Sequence, residues 1–325
     1  MTFAGFADVW TPAMLLRKLG GRPLRVVVAG VPLVVFRDGR GKSGALVDRC
    51  PHRGAALSLG RVAPDGTLEC PYHGWRFDVE GANRAVPLNP QARCETLGAA
   101  AVPVREIGDL LWVYTRPGAA APPEPLVPES LTDPGLSRTY IERDWACHWT
   151  RAMENMLDFP HLPFVHRRTI GRTYRAMTPR SRLDIQWEDT AFGGRARASL
   201  DGDAGGAWVE FYRPNMTVLH IPIPGRRLRI HSLATPAAPG RTRMMVAVSR
   251  DFARWPVLEP LFRWRNGRVI DEDQAVVESG GPGEIPPPGR EHSVATDLTT
   301  LQFRRYYYAV LRASSADRPA AGAAD

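Results

Sequence analysis

The chain has 325 residues but only four cysteines, and Lys18 and Lys42 are its only lysines among 42 cationic side chains. So few cysteines argue against a disulfide framework and fit a reducing cytoplasm. No apolar run is long enough to span a bilayer. The opening MTFAGFADVWTPAMLLRKLGG has no basic start followed by a long apolar stretch, so neither a membrane helix nor a signal peptide is expected. Flavin and nicotinamide motifs are absent, as are internal repeats. The net charge is +8, yet the basic residues are scattered apart from short groups such as Arg226-Arg227 and Arg304-Arg305. Scattered charge is a solvated surface, which argues against nucleic-acid binding. A basic face suits an acidic protein partner better. The arginine bias, with abundant Ala, Gly and Pro, fits a high-GC genome.

What remains is an ordinary globular composition, 44% apolar and 23% charged, long enough for two domains. Residues 1–20 fit a short helix capped at Thr11, with Met14, Leu15 and Leu19 on one face. From Leu24 the texture becomes short strands with close turn signals, which predicts an antiparallel β domain over 21–116. The Pro-, Ala- and Gly-rich residues 117–137 read as a linker. Six alternating segments between Arg182 and Val248 predict the half-buried strands of one sheet. Leu258–Ser279 and Thr296–Ala313 are helical in pattern, within a second unit over 138–313. The small, polar residues 314–325 read as a disordered tail. The fold class is therefore α+β, an all-β domain followed by an antiparallel-sheet domain with late helices.

Two short loops carry the first chemistry. Cys50-Pro-His52 and Cys70-Pro-Tyr-His73 each offer one thiolate and one imidazole, with seventeen residues between them. Four such ligands suggest a metal. A two-Cys, two-His zinc finger pairs like with like, whereas each loop here mixes the two. That split suits a [2Fe–2S] cluster in which two His replace two Cys on one iron. The stretches CPHRG and CPYHGW resemble the ligand loops of the Rieske proteins. Gly54 and Gly74 supply the unusual backbone that wraps a cluster, Pro51 and Pro71 stiffen each loop, and Trp75 shields the site or packs in the core. High-potential Rieske proteins carry an extra disulfide between the loops. Cys94 and Cys147 lie outside both loops, so the resemblance is to the lower-potential, ferredoxin-like branch.

The second stretch is Asn155-Met-Leu-Asp158-Phe-Pro-His161-Leu-Pro-Phe-Val-His166. A spaced histidine pair with Asn and Asp upstream matches the N-x-x-D-x-x-H-x-x-x-x-H motif, and the chain resembles the Rieske non-haem iron oxygenases along nearly its whole length. The resemblance implies a helix-grip (START-like) catalytic domain, a curved antiparallel sheet around a long helix. It also implies mononuclear Fe(II) on two His and one carboxylate. His161 and His166 supply the imidazoles. The carboxylate is expected in Asp271-Glu272-Asp273, with Asp273 chosen by motif and its two neighbours as competitors. Asp158 is implied to bridge His73 of one subunit to His161 of the next, unless it simply orients His161. Asn155 lies near the iron by the same resemblance.

The implied activity uses O₂ and electrons from NAD(P)H, delivered by a separate ferredoxin or flavin/iron–sulfur reductase, to hydroxylate or oxidatively demethylate a small organic molecule. Dihydroxylation of an aromatic ring and pure electron transfer are the alternatives. The family's usual trimer implies a homotrimer. Trp208, Phe211, Tyr212, Asn215 and His220 lie on strands that either line the substrate pocket or form sheet core.

Overall fold

The computed structural model describes residue 3 and residues 5–171, 177–203, 206–287 and 289–313. The chain forms two compact units, divided after Pro125. The expectation of a disordered tail falls on 314–325, outside the described residues.

The first unit is built from short antiparallel strands. Leu24–Val28, Val31–Arg37, Ser43–Val47 and Ala101–Val102 form one sheet in that order. The first two are joined by Ala29 and Gly30 at φ 46° and 77°, the left-handed pair that a tight hairpin needs. A second sheet holds Arg61–Val62, Leu68–Glu69, Arg76–Phe77 and Asn83–Ala85. Its first three strands flank the two ligand loops. Val34, Phe36, Leu46, Leu57, Leu68 and Phe77 pack into one core with Cys50 and Cys70.

The N-terminal segment is a strand, not the expected helix. Trp10–Leu15 pairs with Leu110–Tyr114, from Trp10 opposite Tyr114 to Leu15 opposite Leu110, and only Leu16–Lys18 make a single 3₁₀ turn. All six strand residues are buried. An amphipathic helix buries one stripe, so a run buried at every position is better served by a strand covered on both faces, here at the edge of its sheet. Pro12 is accommodated by a bulge between Pro12 and Met14. Thr11 is a buried strand residue rather than a helix cap.

The second unit is a seven-stranded antiparallel sheet. Its spatial order is Ser137–Trp145, Arg241–Arg250, Arg226–Ala238, Met216–Ile223, Trp208–Tyr212, Gly193–Leu200 and Leu183–Thr190. Among the described residues five α-helices accompany it: α1 (Glu129–Thr132), α2 (Trp149–Leu157), α3 (Leu162–Val165), α4 (Glu259–Ser279) and α5 (Leu298–Tyr306). Helix α1 lies inside the stretch expected as linker, because Leu131 finds a fully buried position there. Helix α2 packs on the strands Met216–Ile223, Arg226–Ala238 and Arg241–Arg250 and against α4 and α5.

A buried ion pair fixes α2. Glu154 accepts from Arg304 of α5, and Arg304 also donates to Glu291 at 2.6 Å. Burial pushes the Glu154 carboxyl up against the pull of Arg304 and Arg151. Removing one partner of such a pair strands the other in low dielectric. Arg304→Met is therefore expected to cost about 3–5 kcal/mol of unfolding free energy, read by urea denaturation. An unchanged midpoint would mean that the pair does not hold α2.

Candidate active site

The two ligand loops of the first unit share one backbone design. Cys50 N–H donates to Ala55 O at 2.8 Å and Gly54 N–H to Cys50 O at 2.9 Å; Cys70 N–H donates to Trp75 O at 2.8 Å and Gly74 N–H to Cys70 O at 3.1 Å. Gly54 and Gly74 both take positive φ, 73° and 70°, which closes each loop. The loops bring together all four expected ligands, sorted by type. Cys50 and Cys70 are buried in the core, while His52 and His73 are exposed with ring centroids 4.6 Å apart. Burial pushes the Cys50 thiol up to about 11, aided by Cys70 and opposed by the His52 and Arg53 N–H groups. Thiols so placed become anionic by binding metal. One pair of sulfurs inside and one pair of imidazoles outside fits a two-iron cluster with unlike ends. Trp75 stacks on His52 at 4.7 Å and 2°, and Phe77 is wholly core.

The second site is assembled from α2, α3 and α4. Asp158 caps the C-terminus of α2, and its Oδ2 accepts the His161 N–H at 2.8 Å. The single turn α3 separates His161 from His166, so both rings reach the same space, with centroids 5.3 Å apart. Asp273 reaches that space from α4 and is only 5% exposed. Its Oδ1 lies 3.0 Å from His166 Nε2 and 3.5 Å from His161 Nε2. Among the described residues, His161, His166 and Asp273 form the group whose ligand atoms all lie within 4.8 Å of one another.

The three neighbouring acids of α4 face different partners. Asp271 is bound to Arg143 at 2.7 Å on the surface. Glu272 accepts from His166 Nδ1 at 2.8 Å and Thr169 Oγ1 at 2.6 Å. A helix turns 100° per residue, so consecutive side chains diverge. The Nδ1 of each imidazole is thus held by a carboxylate, His161 by Asp158 at 3.1 Å and His166 by Glu272, leaving both Nε2 atoms directed at Asp273. This is how metal-ligating histidines are oriented. Burial opposes charge on His166, but Asp273 and Glu272 outweigh it and hold its pKa above the ordinary value. Three carboxylates around two imidazoles make a donor set that a divalent cation balances.

Asn155 of α2 donates weakly to Asp273 Oδ1 at 3.4 Å, and its buried Oδ1 has no partner among the described residues. The site forms one end of a cavity whose walls include Trp145, Leu157, Val209, Leu219, Ile230, Met244, Val246 and Ile270. The strand aromatics named from sequence are not among its lining residues. Trp208 stacks on His220 at 3.4 Å, His220 bonds Glu210 at 3.1 Å, and Asn215 donates to Ala234 O at 3.0 Å. Sequence reasoning weighed Glu272 only as a rival iron ligand, and it missed Thr169, Thr217 and Ser232. Alternation implied two faces of the sheet but not which of them meets the helices.

Residues 9–103 match the Rieske [2Fe–2S] domain family, and residues 145–313 match the vanillate O-demethylase oxygenase C-terminal domain family. The chain is 30% identical to chlorophyllide a oxygenase, chloroplastic, of Chlamydomonas reinhardtii, over 84% of this chain and 43% of that protein. It is 29% identical to the methylxanthine N3-demethylase NdmB of Pseudomonas putida, over 92% of this chain and 87% of the relative. The crystal structure of dicamba monooxygenase bound to dicamba superposes with a TM-score of 0.80 at 23% identity, covering 97% of this chain and all of that one, a likeness of fold. The chain spans about half the length of the chloroplast relatives it matches, 43% and 56% for the first two. No helix among the described residues is long and apolar enough to cross a membrane.

Glu272→Gln keeps the shape at His166 but removes the charge on its Nδ1 partner. Ferrous-ion affinity, measured by chelator competition, should fall about 10- to 100-fold, with the visible spectrum of the first unit unchanged. Unchanged affinity would remove Glu272 from the support of His166.

Proposed function

The chain belongs to the Rieske non-haem iron oxygenases, and we propose that it uses O₂ and electrons from a separate reductase to hydroxylate or oxidatively demethylate a small organic molecule. The observation that carries this reading is the convergence of His161 Nε2, His166 Nε2 and Asp273 Oδ1 at an apolar cavity. Ferrous iron held there would supply O₂ activation, and a [2Fe–2S] cluster on Cys50, His52, Cys70 and His73 would supply one-electron transfer. The protein's own residues do the positioning. Asp158 and Glu272 hold the Nδ1 protons of His161 and His166, which fixes each ring and its tautomer. The aliphatic walls exclude water and seat the substrate beside the triad. Asn155 steadies Asp273 from α2. Electrons come from a ferredoxin or a flavin/iron–sulfur reductase drawing on NAD(P)H. Four cysteines without a disulfide suit the cytoplasm.

His161→Ala, His166→Ala and Asp273→Ala should each abolish O₂-dependent turnover and lower bound iron by about one per chain, while the cluster absorption survives. The test is metal analysis with oxygen uptake over a substrate panel, donor supplied, and product analysis separates one inserted hydroxyl from a ring diol. Full activity in Asp273→Ala, with loss in Asp271→Ala, would overturn the ligand assignment.

We also propose a homotrimer in which Asp158 joins the metal sites of neighbouring subunits. Its Oδ2 already holds His161, so its other oxygen is the one offered to a cluster histidine of the next chain. Asp158→Asn should retain both metals and slow reoxidation of pre-reduced protein mixed with substrate and O₂. Normal reoxidation would remove the bridge, and an active monomer by light scattering would remove the trimer.

A further inference from the structure

The cavity is aliphatic on most sides, but two hydroxyls interrupt it. Thr217 and Ser232 both line it, and they sit directly opposite one another on the paired strands Met216–Ile223 and Arg226–Ala238. Directly opposite residues bring their side chains to about 5 Å. Thr217 is 1% exposed and Ser232 5%. A hydroxyl on an apolar wall is costly unless a hydrogen bond satisfies it, and two together are placed to be satisfied by what enters. The Asn155 carboxamide oxygen, also on this cavity, is buried and has no hydrogen-bond partner among the described residues.

Charge narrows the ligand. Asp158 and Asp273 already line the cavity, and among its described lining residues there is no Lys or Arg, although the chain carries 42 of them. An anionic substrate would lie beside these carboxylates, which adds to the cost of its desolvation. Two neighbouring hydroxyls instead suit a neutral acceptor, such as a carbonyl or ether oxygen, which takes two donated hydrogen bonds.

We propose that Thr217 and Ser232 form the specificity-determining pair of this site, and that its substrate is a neutral, largely apolar molecule whose carbonyl or ether oxygen they grip. The inference rests on reading the cavity as the oxygenase substrate site. The grip sets the distance between that oxygen and the triad, so the hydroxyls select which carbon faces the metal position. A site built to donate hydrogen bonds also rejects an analogue that lacks the acceptor, because its hydroxyls are left unpaired.

The test is calorimetric binding of two matched probes, 4-methoxyacetophenone and 4-methoxybenzoate, to the iron-loaded protein. The ketone should bind at least about tenfold more tightly than the carboxylate. Thr217→Val and Ser232→Ala should each weaken ketone binding about three- to tenfold, and Thr217→Ser should restore it. Carboxylate binding equal to or tighter than the ketone's, no ketone binding, or unchanged ketone binding in both hydroxyl-deleted variants would overturn the proposal. If either variant fails to fold, the comparison of the two probes on the unaltered protein decides. Ketone binding without any O₂-dependent turnover supports the pair and counts against the oxygenase reading. Turnover with preferred carboxylate binding overturns the pair alone.

Discussion

One buried carboxylate organises the catalytic unit. Asp273 sits on the inner side of α4 with 5% of its surface exposed, and among the described residues no lysine or arginine is paired with it. Burying a carboxylate is costly unless it is matched by charge and hydrogen bonds. The match comes from His161 and His166, brought round by the single turn of α3, and from Asn155 on α2. Helices α2 and α4 therefore have to meet at this point, and the ends of the cavity follow from where they meet. Asp158 and Glu272 complete the arrangement by fixing the far side of each imidazole. The result is a rigid donor set with excess negative charge, a form of pre-organisation that a divalent metal completes.

The first unit solves a different problem with the same economy. Its two loops repeat one hydrogen-bond pattern, so two short sequences give two nearly equivalent claws. The thiols close the top of a hydrophobic core, where solvent is excluded, and the histidines face outward. Burial around sulfur and exposure at imidazole are levers that tune a cluster and let electrons reach it from another molecule.

The large sheet divides its labour by face. Val209, Thr217, Leu219, Ile230 and Ser232 line the cavity, while the alternate residues Trp208, Glu210 and His220 form a stacked, hydrogen-bonded layer that does not. Within that layer Glu210 is held by both Arg195 and His220.

The sequence by itself determined the ligand types and their spacing. The residues Cys50, His52, Cys70 and His73 and the pair His161 and His166 were legible because metal chemistry needs particular atoms at short range along the chain. The sheet was legible from alternation, and α4 from its length. Three things waited for the tertiary structure. The N-terminal strand reads as a helix in sequence because Met14, Leu15 and Leu19 share one helical face, and only the partner strand Leu110–Tyr114 decides against it. Asp273 is chosen by motif over Asp271 and Glu272, but what its two neighbours do depends on where the helix turns them. Whether Trp208, Phe211, Tyr212, Asn215 and His220 line the cavity or lie elsewhere in the sheet was open in sequence, because alternation defines two faces and only packing against the helices says which one meets the cavity.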